Sequence, residues 1–268
     1  MGSFLNVIAV RYNPDRFILN SDVLGGRSRC SHCGKQLRWY ELIPLVSYLA
    51  QGGLCRSCKG RLSFQYPLVE LISGLIFLGV SWKLGLSTFP SVLSIIWIVV
   101  FLTLLLISLI DLRLRIIPDE LNVLLGLSAL GLIFLSYPSF NSLSRTFIGH
   151  YALLFGGRES IWLSHFLGFL FGSIFFGLLV LLSRGRGMGG GDLKLGAALG
   201  LLFAWPDISI IIPLSFILGS IFALPLLISG RRGRKDFLPF GPFLALGAAS
   251  VFFFGYQILH FYFSLFRI

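Results

Sequence analysis

The 268-residue chain is 56% hydrophobic and 12% charged, with a mean hydropathy of +0.87. This balance excludes an ordinary soluble domain and indicates a polytopic membrane protein. Its 22 Lys and Arg against 11 Asp and Glu leave a net charge of +11, but the basic residues sit in short loops between apolar runs, a positive-inside pattern that argues against nucleic-acid binding.

Gly2 to Val10 is apolar but too short to span a bilayer, which takes roughly 20 residues. It is either a partial first helix or a short wedge. The first residues have neither a basic n-region nor a small-residue cleavage site, so no cleavable signal peptide is expected. Residues 13–66 are polar and hold all four cysteines. Apolar runs follow at Pro67–Trp82, Val92–Ile110, Leu121–Tyr137, Leu163–Ser183, Leu193–Trp205, Ile208–Ser229 and Phe240–Phe263. They predict an all-α polytopic membrane protein of seven to eight transmembrane helices with a small cytosolic zinc-knuckle insert. The expected organisation is a partial first transmembrane helix at 1–12, a cytosolic four-cysteine zinc-binding domain at 13–66 and a transmembrane domain at 67–268.

Lys and Arg set the expected orientation. With the cysteine insert in the cytosol, alternation places Arg113, Arg115, Arg184, Arg186, Arg231, Arg232, Arg234 and Lys235 there too. The other side receives Lys83, Arg145, Arg158 and Arg267. The outer loop Pro138–Ile161 is long and aromatic, and is read as a partly ordered interfacial segment in which His150 has no strong claim to a role.

The insert carries two C-x-x-C pairs, Cys30/Cys33 and Cys55/Cys58, with 21 residues between them. Four thiolates suit tetrahedral structural zinc, although the gap lies just beyond the usual spacing. A reducing cytosol disfavours the alternative of labile disulfides. Gly34 and Gly60, one and two positions after their pairs, fit tight metal knuckles. His32, inside the first pair, is a bystander on this reading. With little aliphatic core of its own, the insert is expected to draw much of its folding energy from the metal.

The chemistry centres on Gly187-Met188-Gly189-Gly190-Gly191-Asp192. A carboxylate at a membrane edge is rare unless it is paired or wetted. Asp192 has a plain reading as a helix N-cap, yet four glycines in five residues exceed what a cap needs. Asp111 closes the Val92–Ile110 run and falls at the same cytosolic interface. Two carboxylates at one interface suggest acid–base hydrolysis of a peptide bond. Asp119, after Pro118, has the pattern of a helix start, with a part in shaping a substrate cleft as the alternative. Glu70 reads as a solvated anchor or as a partner for basic substrate residues. Lys194 is suited equally to lipid phosphate and to tuning Asp192. His32, His150, His165 and His260 are too scattered for a triad.

These residues resemble the bacterial type IV prepilin leader peptidases, the prepilin peptidase/N-methyltransferase group of GxGD intramembrane aspartyl proteases. Gly2-Ser3-Phe4-Leu5-Asn6-Val7 is similar to the family's first-helix signature. The paired C-x-x-C insert, Ile43-Pro44, Arg61-Leu62-Ser63 and Tyr66-Pro67-Leu68-Val69-Glu70-Leu71 are similar to its cytosolic region. Ile110-Asp111 with Pro118-Asp119, then Gly189-Gly190-Gly191-Asp192 with Lys194-Leu195, match the two aspartate segments, and Pro239-Phe240-Gly241-Pro242 matches a late loop. The resemblance implies that residues 67–268 form a transmembrane aspartyl peptidase domain in the bacterial inner membrane. Asp111 and Asp192 would be catalytic, with Gly189, Gly191, Asp119, Glu70 and Lys194 in support. The implied reaction removes a short basic leader from prepilins and pseudopilins at the cytosolic membrane face. It also implies N-methylation of the new N-terminal residue with S-adenosylmethionine, for which the sequence shows no nucleotide-binding motif. The rival expectation is a non-catalytic, zinc-anchored membrane scaffold of a pilus or secretion assembly.

Overall fold

Every apolar run becomes a helix in the computed structural model, which describes residues 2–15, 17–18, 20, 23, 25–26, 29–30, 33–85, 91–136, 146–155, 160–185, 188–229 and 238–265. The helices are α1 (Gly2–Arg11), α2 (Val46–Ala50), α3 (Gln65–Leu84), α4 (Val92–Leu114), α5 (Asp119–Ser136), α6 (Ile161–Leu182), α7 (Gly190–Phe203), α8 (Asp207–Ile228) and α9 (Gly241–Leu265). Among the described residues there is no strand, only two isolated bridges. Among the described residues five helices, α3, α4, α6, α8 and α9, are long and apolar enough to cross a membrane. The chain is a multi-pass membrane protein. The 14 residues of α7 span about 21 Å at the α-helical rise, less than the roughly 30 Å of a hydrocarbon core. His32, Gly187 and the basic residues Arg145, Arg158, Arg186, Arg231, Arg232, Arg234, Lys235 and Arg267 lie outside the described residues.

The chain packs as two units, Met1–Phe89 and Pro90–Ile268. In the first, α1 lies against α3. Gly2 permits this approach, since a Cβ there would come within 2.7 Å of the Glu70 Cα. Asn6, almost wholly buried, accepts from Gln65 Nε2 at 3.2 Å and donates to the Tyr66 carbonyl at 3.5 Å. A buried amide needs such partners, so α1 is tied to the start of α3 by polar as well as apolar contacts.

In the second unit, α6 and α7 meet through glycine. A Cβ on Gly168 or Gly200 would collide with the carbonyl oxygen of the other, and one on Gly172 with that of Gly196. Two G-x-x-x-G spacings, Gly168/Gly172 and Gly196/Gly200, thus bring two backbones together, as membrane helices do when apolar side chains offer no advantage over lipid. Helix α5 packs on α4 and α7, and α9 on α4 and α8. An aromatic cluster fills the centre, with Phe252 4.7 Å from Trp97, 4.8 Å from Phe147 and 4.9 Å from Phe101, ring centre to ring centre. In the segment between α5 and α6, Gly149–Phe155 forms a 3-10 helix. There His150 packs against Tyr151 and Tyr256, and the Tyr151 hydroxyl bonds His260 Nδ1 at 3.0 Å. His150 thus belongs to an aromatic cluster.

Candidate active site and metal centre

Asp111 lies in the last turn of α4, where an anion opposes the helix dipole. The helix stops there because Arg115 turns into the left-handed region, its N–H bonding the Asp111 carbonyl at 2.8 Å, and Pro118 bars continuation. The carboxylate is 4% exposed. Its partner comes from far along the chain: the Gly241 N–H, at the start of α9, donates to Asp111 Oδ2 at 2.9 Å. A helix N-terminus supplies both free N–H groups and a positive dipole end. The acid misplaced on its own helix is therefore stabilised by the beginning of another. Pro242 suits this helix start, because its missing N–H costs no bond in a first turn.

Asp192 is the third residue of α7. Its backbone N–H donates to the Gly189 carbonyl at 3.2 Å, and its Oδ2 accepts from the Gly189 N–H at 3.3 Å. The N-cap of α7 is therefore Gly189 and not Asp192, which sits three positions on and reaches back to the N-cap N–H. That role does not exhaust the residue, since the neighbouring Gly191 packs on Ile117, in the connection that follows Asp111. The two aspartates are brought together at one end of the second unit, although 80 residues of sequence lie between them.

The supporting residues divide. Gly191 faces Ile117, where an added Cβ would lie 3.1 Å from the Ile117 Cβ. That contact seats the first turn of α7 on the α4–α5 connection. Lys194 Nζ donates to both Asp119 oxygens, at 2.8 and 2.7 Å. Lys194 therefore clamps the start of α7 to the start of α5. The pair is 52% and 65% exposed, so it is worth at most about 1 kcal/mol. Glu70 is in the other unit, where its carboxylate accepts the Leu45 N–H at 2.9 Å.

Three further residues of the second unit carry little signal in the sequence. Gly241 shows none beyond its place in a late loop. Asp207, 1% exposed at the start of α8, accepts the Phe147 N–H at 3.0 Å while its Oδ1 has no partner among the described residues. It follows the C-terminal end of α7, the opposite end from Asp192, and so stands apart from the pair. Asn122, in the first turns of α5, is 8% exposed, and neither its Oδ1 nor its Nδ2 has a partner among the described residues.

The four cysteines of the first unit converge, their sulfurs all within 4.8 Å of one another and Cys30 Sγ 3.9 Å from Cys58 Sγ. Tetrahedral Zn–S bonds of about 2.3 Å require sulfurs roughly 3.8 Å apart, so the donor set fits a metal such as zinc. Both loops repeat one design: Cys30 N–H to Lys35 carbonyl and Gly34 N–H back to Cys30 carbonyl, then Cys55 N–H to Gly60 carbonyl and Lys59 N–H back to Cys55 carbonyl, all at 2.9 Å. The turn residue is Gly34 in the first, with φ +69°, but Lys59 in the second, with φ +55°. The expected glycine of the second loop is therefore displaced by one position, and Gly60 serves as the carbonyl. Backbone N–H groups of Cys58 and Ser57 pull the Cys55 thiol down to about 6. Despite the Gly60 N–H, which favours its thiolate, Cys58 is pushed up to about 11 by desolvation and by the Cys55, Cys33 and Cys30 sulfurs.

The chain matches the profile described as the Bacterial Peptidase A24 N-terminal domain over residues 1–84, and that of the Type IV leader peptidase family over residues 98–224. It is 34% identical over 281 residues to a Prepilin leader peptidase/N-methyltransferase of Pseudomonas aeruginosa, covering 98% of this chain and 89% of the relative. The chain belongs to the type IV leader peptidase family. Similar proteins of that printed name occur in Burkholderia pseudomallei, 35% identical over 229 residues, 85% of this chain and 67% of the relative, and in Bacillus subtilis, 30% identical over 253 residues, 93% and 90%. No solved structure matches the chain at a significant level. In this family member the second profile covers both aspartates and the first covers all four cysteines.

Proposed function

We propose that this protein is an aspartyl endopeptidase that removes the short basic leader from type IV prepilins and pseudopilins at the cytosolic face of the bacterial inner membrane. Family membership supports the reaction class. What supports the site is the placement of Asp111 and Asp192, each held by a backbone N–H at a helix start, with Gly191 beside Asp192 packed on Ile117 of the connection after Asp111. Two carboxylates side by side cannot both ionise cheaply and share one proton. One takes a proton from water, which attacks the scissile carbonyl; the other gives its proton to, or hydrogen-bonds, the carbonyl oxygen. The Gly241 N–H fixes Asp111 Oδ2 and leaves Oδ1 for the exchange. The apparent pKa values belong to the pair and not to either residue. In this scheme Gly189 leaves room for an extended substrate, Gly191 admits Ile117, and the Lys194–Asp119 clamp holds α7 in register with the connection after Asp111.

The basic residues Arg113, Arg115 and Arg184 border the aspartate end, which the positive-inside rule assigns to the cytosol. Residues 13–66 would hold one structural zinc through Cys30, Cys33, Cys55 and Cys58. The relatives' names support a second activity, methylation of the new N-terminus with S-adenosylmethionine as the methyl donor. No residue is assigned to that step. The test is cleavage: membranes containing the wild-type protein shorten a prepilin, and membranes with Asp111→Asn or Asp192→Asn leave it intact. Cleavage surviving either substitution refutes the assignment of the pair.

A further inference from the structure

Helix α5 turns a buried stripe toward the unit interior, with Leu121, Leu125, Ala129, Leu132 and Ile133 each 5% exposed or less. Asn122 lies on this stripe at the end where α5 begins. One turn earlier, Asp119 reaches Lys194 of α7, and Ile117 touches the position of Gly191. The first turns of α5 and α7 are thus fastened to each other, and α5 packs on both helices that carry the aspartates. Asn122 therefore presents a carboxamide on the inner face of the unit, within about one helical turn of the level of Asp192. Its Oδ1 and Nδ2 are both buried and have no partner among the described residues.

A buried carboxamide with neither donor nor acceptor engaged destabilises a fold that an apolar side chain of similar volume would stabilise. Nothing in helix geometry calls for it: the Asn122 backbone N–H already bonds the Pro118 carbonyl, at 3.4 Å. A carboxamide offers one acceptor and a two-proton donor on a single carbon, the complement of the C=O and N–H that an extended peptide presents. We infer that Asn122 is a substrate-binding residue, its side chain pairing with the main chain of the substrate peptide beside the scissile bond. The inference rests on the peptidase reading above. It adds a contact that both aspartates need, since a proton can be delivered accurately only to a peptide held in place.

The experiment uses the full chain in detergent or liposomes and a synthetic prepilin peptide comprising leader and apolar helix. Initial rates are measured for wild type, Asn122→Leu and, should the leucine variant fold poorly, Asn122→Ala. Thermal unfolding is followed in parallel. A substrate contact predicts kcat/KM lower by about tenfold or more in Asn122→Leu, mostly through KM, with thermal stability equal to or above wild type. A second series N-methylates the peptide amides flanking the scissile bond one at a time. At the amide that Asn122 binds, methylation costs the wild type a similar factor and the variant no more than about twofold, because the contact is already gone. Asn122 variants within about twofold of wild type in kcat/KM refute the inference alone, as do methylation losses equal in wild type and variant at every amide. A wild-type protein that leaves the unmodified peptide uncut refutes the peptidase reading and this inference with it.

Discussion

Gly241→Ala tests the geometry of Asp111 with a single methyl group. The added Cβ would lie 2.8 Å from Asp111 Oδ2, 3.4 Å from its Cγ and 3.5 Å from its Cβ. Restoring an ordinary contact of 3.4 Å moves the oxygen by about 0.6 Å. The carboxylate is buried and its α4 backbone is fixed, so it must rotate, lengthening the 2.9 Å bond to the Gly241 N–H. Catalytic groups tolerate about 0.5 Å of displacement, and 1 Å costs about 10²-fold. The expected loss in kcat is therefore about 10- to 100-fold, with KM close to wild type. Overpacking a buried site also costs typically about 1–3 kcal/mol, so thermal unfolding is measured on the same preparation to show that the protein remains folded. Gly126→Ala is the control, since a Cβ on Gly126 meets nothing within 4 Å; it should cleave normally. Prepilin cleavage by Gly241→Ala within about twofold of wild type would contradict the proposal that this N–H positions a catalytic carboxylate.

Asp111→Asn and Asp192→Asn should each lower leader removal by about 10²–10⁴-fold, and the double variant should be hardly worse, because the two act as one unit; multiplicative losses in the kinetics would argue for independent roles. Asp119→Asn should be far milder, since it breaks an ion pair that is more than half exposed on both sides and worth about 0–1 kcal/mol. Cys30→Ser and Cys58→Ser should reduce metal content from near one equivalent per chain and expose residues 30–58 to protease, as elemental analysis and limited proteolysis would show. Lys59→Gly should strengthen the insert by roughly 1 kcal/mol, because a side chain in the left-handed region is strained; the readout is a higher chelator concentration for half-loss of the metal, and an unchanged midpoint would count against the strain.

What can be read from the sequence is whatever is encoded locally. The apolar runs coincide with helices because proline, glycine and charge end them within the chain itself, as Pro118 does after α4. The glycine bend makes Asp192 conspicuous, and the two C-x-x-C pairs announce their own convergence. Contacts between distant residues are not legible. Gly241 meets Asp111 across 130 residues, and a glycine in a loop gives no hint of the carboxylate it must admit. Lys194 suits lipid and Asp192 equally when only the sequence is in view, but its partner is Asp119, 75 positions away. The spacing of Gly168/Gly172 and Gly196/Gly200 is visible, yet only the packing of α6 on α7 shows that the two pairs face each other. In the second knuckle Gly60 misleads, because the left-handed turn falls one position earlier, on Lys59.

The central claim is that Asp111 and Asp192 cut a peptide bond together. Its most direct test is co-expression of this protein with a prepilin, followed by mass spectrometry of the pilin recovered from membranes. The wild-type protein should yield a product lacking the leader, with one added methyl group if the second activity is present, whereas Asp111→Asn and Asp192→Asn should each yield the full-length precursor. A shortened pilin from either aspartate variant, or an intact precursor from the wild type, would contradict the account.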